Sequence, residues 1–208
     1  MITSVPRVIT VAVFILTIAS SRLEGASCTS LKGLALPDTT ITLAEPVDGG
    51  KFVPPETETV KRLTPGSIMG GGEFPSYDRL PAFCRVAATI RPVPDSTIKI
   101  EVWLPTENWN GKFMGVGNGG WSGEVWHPAL AKALARGYAA ASTDTGHEGP
   151  GLDASFAIGH PEKVIDSGWR AVHEMTVTAK AIVAAFYMRD PAFSYWDGCS
   201  TGGRQGLA

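Results

Sequence analysis

An α/β fold is predicted for this 208-residue sequence by three features. Strand and helix patterns alternate from residue 96 onward, the texture of βαβ units. The run 138–142 is built of small apolar residues, as in strands buried on both faces of a parallel sheet. A short aromatic strand then meets a Gly-flanked turn and the start of a helix. The expected architecture is a parallel sheet covered by helices on both faces.

Composition agrees. Hydrophobic residues make up 44% and charged residues 18%, which excludes intrinsic disorder. The net charge of −2, without a dominant basic patch, offers nucleic acid no electrostatic footprint. The 24 Gly and 15 Pro follow no G-X-Y period, which excludes collagen and predicts many turns.

The chain opens with Arg7, an apolar run over 8–19, and small residues at Ala19, Ser20, Ser21, Gly25 and Ala26. That is the layout of a secretory signal, with cleavage between residues 20 and 26. The run is short of the roughly 20 residues of a membrane span, so the alternative of an N-terminal anchor is set aside and no membrane partner is expected for the mature form. A secreted location makes the cysteines disulfide candidates. Pairing Cys28 with Cys84 would tie a mobile new terminus to the body, leaving Cys199 as a free thiol or one end of a missing pair.

Residues 27–95 read as a β-rich N-terminal extension. Prolines interrupt every helical period, Gly70-Gly71-Gly72 marks a loop, and short β-type runs fit 39–43 and 85–91. The catalytic-type domain begins at 96. Residues 97–104 alternate and end at Pro105, giving a strand, and 112–116 give a second. Residues 128–136 carry Leu130, Ala131, Leu134 and Ala135 at helical spacing, with Gly137 as the stop. The strand 138–142 follows, then a polar, Gly-rich stretch over 144–168. The strongest helix has Asp166 or Ser167 as its cap and Val172, Met175, Ala179, Ile182, Val183 and Phe186 on one face. It ends at Arg189-Asp190-Pro191, and 193–196 is the aromatic strand. Gly206-Leu207-Ala208 stops inside the first turn of a helix, so the chain is expected to be a fragment.

Gly198-Cys199-Ser200-Thr201-Gly202 matches G-x-S-x-G. The pattern carries chemistry because a turn this sharp leaves no room for neighbouring side chains and holds the serine strained, with Oγ exposed above the sheet. The amide of Thr201, at the helix start, faces where an oxyanion would develop. A bare G-x-S-x-G is common, but here a strand precedes it and a helix follows. A second oxyanion donor is expected from Gly117-Asn118-Gly119-Gly120, with the amide of Gly119 first and that of Gly120 as its rival. No G-K-[ST] follows and no G-x-G-x-x-G opens a helix there, so the loop is not a phosphate cradle.

His127, His147, His160 and His173 all precede Ser200, whereas this topology runs Ser, then acid, then His. Asp144 and His147 are read as loop-structuring, and His173, beside the apolar helix face, as packed. The chain then holds a nucleophile and an oxyanion hole but no base.

The nine residues Gly198 through Gly206 (Gly-Cys-Ser-Thr-Gly-Gly-Arg-Gln-Gly) resemble the nucleophile signature of the tannase/feruloyl esterase family. Asn108-Trp109-Asn110-Gly111-Lys112-Phe113, Gly117-Asn118-Gly119-Gly120 and Ser142-Thr143-Asp144-Thr145-Gly146-His147 resemble that family's pattern in the same order. The resemblance runs from about Cys28 to the last residue. It implies the α/β-hydrolase fold, with this chain holding the part of the sheet that ends at the nucleophile elbow. It implies a secreted serine esterase of hydroxycinnamoyl (feruloyl) esters working through an acyl-enzyme on Ser200. Its substrates would be plant cell-wall or polyphenol esters. The alternatives are a tannase acting on gallate esters and a non-catalytic binding module of the same fold. The resemblance further implies that Cys199 pairs with a cysteine beside the catalytic histidine. The acid, that His-Cys pair and a calcium-holding lid would lie beyond residue 208, with no cofactor in this segment.

Overall fold

The alternation of Val86, Ala88 and Ile90 with Arg85, Ala87 and Thr89 produces a strand with one buried face. The fold comes from a computed structural model, which describes residues 25–55 and 76–208. The expected secretory signal, up to residue 24, and the loop expected at Gly70-Gly71-Gly72 lie outside the described residues. Among the described residues the strands are β1 (Thr39–Val47), β2 (Phe83–Ile90), β3 (Ile98–Pro105), β4 (Lys112–Val116), β5 (Ala139–Thr143) and β6 (Phe193–Asp197). They form one sheet in the order β1-β2-β3-β5-β4-β6.

The sheet is mixed, which corrects the expectation of a parallel one. β1, β2, β3 and β5 pair antiparallel in sequence, and only β5, β4 and β6 are parallel. The connections explain the division. The short link from β2 to β3 permits a hairpin but no crossover, whereas helices join β4 to β5 and β5 to β6. Residues 27–95 supply β1 and β2, the antiparallel edge of the same sheet. Arg85 and Glu45 face each other across that edge, where β1 and β2 pair in register. The disulfide between Cys28 and Cys84 is formed, pinning the segment before β1 to the buried start of β2.

Helix α1 (His127–Ala135) has Pro128 in its first turn, and Gly137, at φ +78°, takes the left-handed conformation that stops it. A longer helical stretch comprises α2 (Pro161–Ile165), a π turn (Asp166–Arg170) and α3 (Ala171–Tyr187). Asp166 is therefore not an N-cap. It lies inside the stretch, fully buried, where Ser96 donates to its Oδ2 at 2.7 Å and Arg170 pairs with Oδ1 at 3.2 Å. Met188 ends α3 in a left-handed conformation, just before the Arg-Asp-Pro stop.

The helices cover opposite faces. Phe113, Ala139 and Ala141 pack with Met175, Ala179 and Ile182 of α3 on one side. Met114, Val116 and Ala140 pack with Leu130, Ala131 and Leu134 of α1 on the other. Every residue of β5 is buried, because small side chains let both layers approach. β6 lies beyond β4 at the sheet edge, with Phe193 and Tyr195 exposed.

Candidate active site

β6 delivers the chain into the turn Gly198-Cys199-Ser200, and α4 (Thr201–Gln205) begins immediately. Ser200 sits at φ 56°, ψ −124°, a strained backbone for a residue with a side chain, and it is exposed. The turn closes on itself because the amides of Gly203 and Arg204 donate to the Ser200 carbonyl at 3.0 and 3.1 Å. Trp196 reaches forward from β6 and donates from Nε1 to the Gly202 carbonyl at 2.7 Å. Cys199, beside the serine, is exposed and free.

The glycine loop after β4 lies directly against the start of α4. A Cβ on Gly117 would stand 2.7 Å from Gly202 Cα, and one on Gly202 would stand 2.9 Å from the Asn118 carbonyl oxygen. Neither position accepts a side chain. Buried Gln205 joins the two elements: its Nε2 donates to Asn118 Oδ1 at 2.7 Å, and its Oε1 accepts from the Asn118 amide at 3.2 Å. The side-chain nitrogen of Asn118 donates in turn to the carbonyls of Ser122 and Thr143. Arg204 ties α4 to the π turn through the carbonyls of Ser167 and Gly168. These polar anchors were not foreseen. The signal was there in Arg204-Gln205, two large polar residues on a helix that must pack.

Within the loop the amides are sharply divided. Those of Asn118, Trp121 and Ser122 are engaged, by Gln205 Oε1 and by the carbonyls of Gly151 and Gly119. Those of Gly119 and Gly120, like that of Thr201, donate to no other described residue. The Gly119 carbonyl accepts from Ser122 at 3.1 Å. In a trans peptide the N–H opposes the C=O, so the Gly120 amide points away from that turn. Free N–H groups on a loop packed against the start of the helix that follows the serine suit a developing oxyanion.

The histidines lie elsewhere. His127 is buried, with Nε2 3.3 Å from Glu101. Burial works to raise the Glu101 carboxyl, but His127 and Arg85 outweigh it and hold it at about 2. His147 donates from Nε2 to the Trp121 carbonyl at 2.8 Å, and Asp144 Oδ1 accepts from the amides of Lys99 and Gly146, both at 2.9 Å. Both are loop-structuring, as expected. Burial pushes the Asp144 carboxyl up to about 7 against those two donors. His160 pairs with Asp95. His173 is exposed, edge-on to Trp169, and not packed: the buried stripe of α3 passes through its neighbour Val172. No histidine hydrogen-bonds Ser200 among the described residues.

A cleft of about 490 Å³ opens beside the Asp144 loop, lined by Lys99, Glu148, Phe156, His160 and Lys163 among others, but Ser200 is not one of its walls. The elbow and this cleft are therefore separate features of the described residues. Among the described residues no group of three or more His, Cys, Asp and Glu side chains could hold a metal ion.

The sequence and the fold both match known proteins. The family model of tannase and feruloyl esterase matches residues 84–208. An uncharacterised esterase of Xanthomonas campestris is 41% identical over 193 residues, 93% of this chain and 30% of the relative. The crystal structure of an Aspergillus oryzae esterase matches 86% of this chain and 33% of its own, at TM-score 0.73 and 31% identity. That of feruloyl esterase B from the same organism matches 86% and 32%, at TM-score 0.70 and 32% identity. The chain spans about a quarter to a third of the length of the relatives it matches.

Proposed function

Because this chain belongs to the tannase and feruloyl esterase family, we propose that it carries the nucleophile of a secreted serine esterase acting on hydroxycinnamoyl esters of feruloyl type. The strained backbone of Ser200, at a strand-to-helix turn beside free loop amides, is the observation that carries this reading.

In the proposed reaction Ser200 Oγ forms a bond to the ester carbonyl carbon while its proton passes to a histidine base. The carbonyl oxygen becomes an oxyanion received by the Thr201 amide and one amide of the Gly119–Gly120 pair. We take Gly120 as that donor, because its N–H opposes the Gly119 carbonyl that the turn engages, with Gly119 as its rival. Collapse breaks the ester C–O bond, and the alcohol leaves with the proton from the base. Water, deprotonated by the same base, then releases the aromatic acid and restores Ser200. We put the base and its acid partner outside these 208 residues; what supports this is that all four histidines here precede Ser200 in the chain and that His127, His147 and His160 have other partners. The calcium-holding lid is placed there too, and no step runs through it.

Extracellular location is supported by the Cys28–Cys84 disulfide, a bond at home in oxidising compartments. Plant cell-wall or polyphenol esters are the proposed substrates. The test is hydrolysis of methyl ferulate by the full-length enzyme. Ser200→Ala should lower kcat by about 10⁶-fold, the scale for a serine-hydrolase nucleophile. A variant that keeps a tenth of the turnover would assign the nucleophile elsewhere, and preference for gallate over ferulate esters would make the enzyme a tannase.

A further inference from the structure

The Gly120 amide can serve an oxyanion only if its peptide plane is held. The plane of Gly119–Gly120 is fixed through its carbonyl, which accepts from the Ser122 amide at 3.1 Å. The Ser122 amide belongs to the peptide it shares with the Trp121 carbonyl. That carbonyl accepts from His147 Nε2 at 2.8 Å. Two peptide planes in series therefore run from the imidazole of His147 to the Gly120 N–H.

The imidazole is itself immobilised. His147 is 4% exposed and stacks on Phe156 at 3.6 Å with 14° between the rings. Its Nδ1 lies 3.3 Å from Thr145 Oγ1, and that hydroxyl donates to the Ser122 carbonyl at 3.2 Å. Gly123 seats against the same residue, since a Cβ there would stand 2.6 Å from the His147 carbonyl oxygen. Gly123 and Trp121 also donate to the carbonyls of Gly149 and Gly151. The segment 147–151 is thus laid along the glycine loop like a short second strand, with the histidine as its one side-chain donor to the loop.

We propose that His147 is a positioning residue for ester hydrolysis, holding the Gly120 amide in its oxyanion-binding direction through the Trp121 and Gly119 carbonyls. This rests on the reading of Ser200 and the loop amides given above. Without the imidazole, the Trp121 carbonyl loses its donor, and the Trp121–Ser122 plane is held only through its Ser122 N–H, so the plane of Gly119–Gly120 is less firmly fixed. A displacement of about 1 Å at a catalytic group costs on the order of 10²-fold in rate. The loss falls on the transition state, because the ground-state carbonyl makes little use of the amide.

The experiment compares His147→Gln, His147→Asn and His147→Ala in the full-length enzyme on methyl ferulate, with thermal midpoints measured alongside. Glutamine can place a donor near the Nε2 position and asparagine is too short, so this pair stays informative even where alanine does not fold. The expected result is a kcat lowered about 10- to 100-fold in the Asn and Ala variants, KM within about twofold, and most of the loss recovered in the Gln variant. Unchanged kcat in the Asn variant, a Gln variant no better than Asn, or a loss expressed in KM would overturn the proposal. Should Ser200→Ala remain active, the reading of the site fails first; should it be dead while His147→Asn is unimpaired, only the role of His147 fails.

Discussion

Gln205 and Asn118, 87 residues apart, exchange two hydrogen bonds in the interior, side chain to side chain and amide to side chain. They couple the helix that follows the serine to the loop that faces it. Both are buried, so removing either leaves its partner's polar groups without water to replace the lost bonds. Gln205→Leu and Asn118→Ala should each destabilise the protein by about 1–3 kcal/mol. The double variant should cost clearly less than their sum, as expected for residues sharing one network. Urea unfolding of the four proteins measures the cycle, and strict additivity would show that the pair does not act as a unit.

The carboxyl of Asp144 predicts an unusual pH dependence. Its value of about 7 in the fold lies above the unfolded value near 3.8, so between these the native state holds a proton that the unfolded state has released. Stability contributed by this group therefore falls as pH rises through that window, by about 1.4 kcal/mol per unit at most, and levels off above it. Both amide donors meet Oδ1, which asparagine also offers. Asp144→Asn should fold and should flatten the change in urea midpoint between pH 4.5 and 7. Identical slopes in the two proteins would place the Asp144 carboxyl in the ordinary range.

The Cys28–Cys84 disulfide closes a loop with a sequence separation of 56. In the chain-entropy model a closure of that length is worth about 4 kcal/mol, acting on the unfolded chain. The Cys28→Ala, Cys84→Ala double variant should lose stability on that scale, read as a lowered urea midpoint. An unchanged midpoint would mean that β1 and the segment before it are held by packing alone.

Expressed by itself, the 208-residue chain should hydrolyse methyl ferulate and p-nitrophenyl acetate no faster than its Ser200→Ala variant. His127, His147 and His160 are each committed to another partner, and His173 meets Trp169 on an exposed helix surface. Poor solubility is expected as well, because Phe193 and Tyr195 stand exposed on an edge strand. Turnover that depends on Ser200 would make one of these histidines the base.

The parts of the fold that were readable from sequence are those whose signals are local. β4 is bounded by Asn110-Gly111 before and Gly117 after, and its observed limits coincide with the predicted 112–116. The five small residues of β5 declare double burial by their size. Strand direction was not readable, since Ile98–Pro105 is buried like a parallel strand while its connections make it antiparallel. The π turn was missed because Asp166-Ser167-Gly168 imitates a helix start, and the bond that disproves it comes from Ser96, 70 residues away. At the candidate site, Ser200 and the glycine loop were legible as motifs. That Gln205 is polar on a helix that must pack was legible, but its partner Asn118, 87 residues away, was not, because the two meet only in the fold.

The contact of Gly117 with Gly202 has a consequence for how such a protein can change over time. Where two main chains touch without intervening side chains, their separation is set by atoms common to every amino acid. Residues around the turn are then free to drift, altering what the site admits, while the distance between loop and helix stays constant. Variation should be heavier at positions such as Trp121, whose side chain is exposed, and nearly absent at these two glycines. The reactive geometry would be inherited as backbone, and selectivity would be rewritten around it.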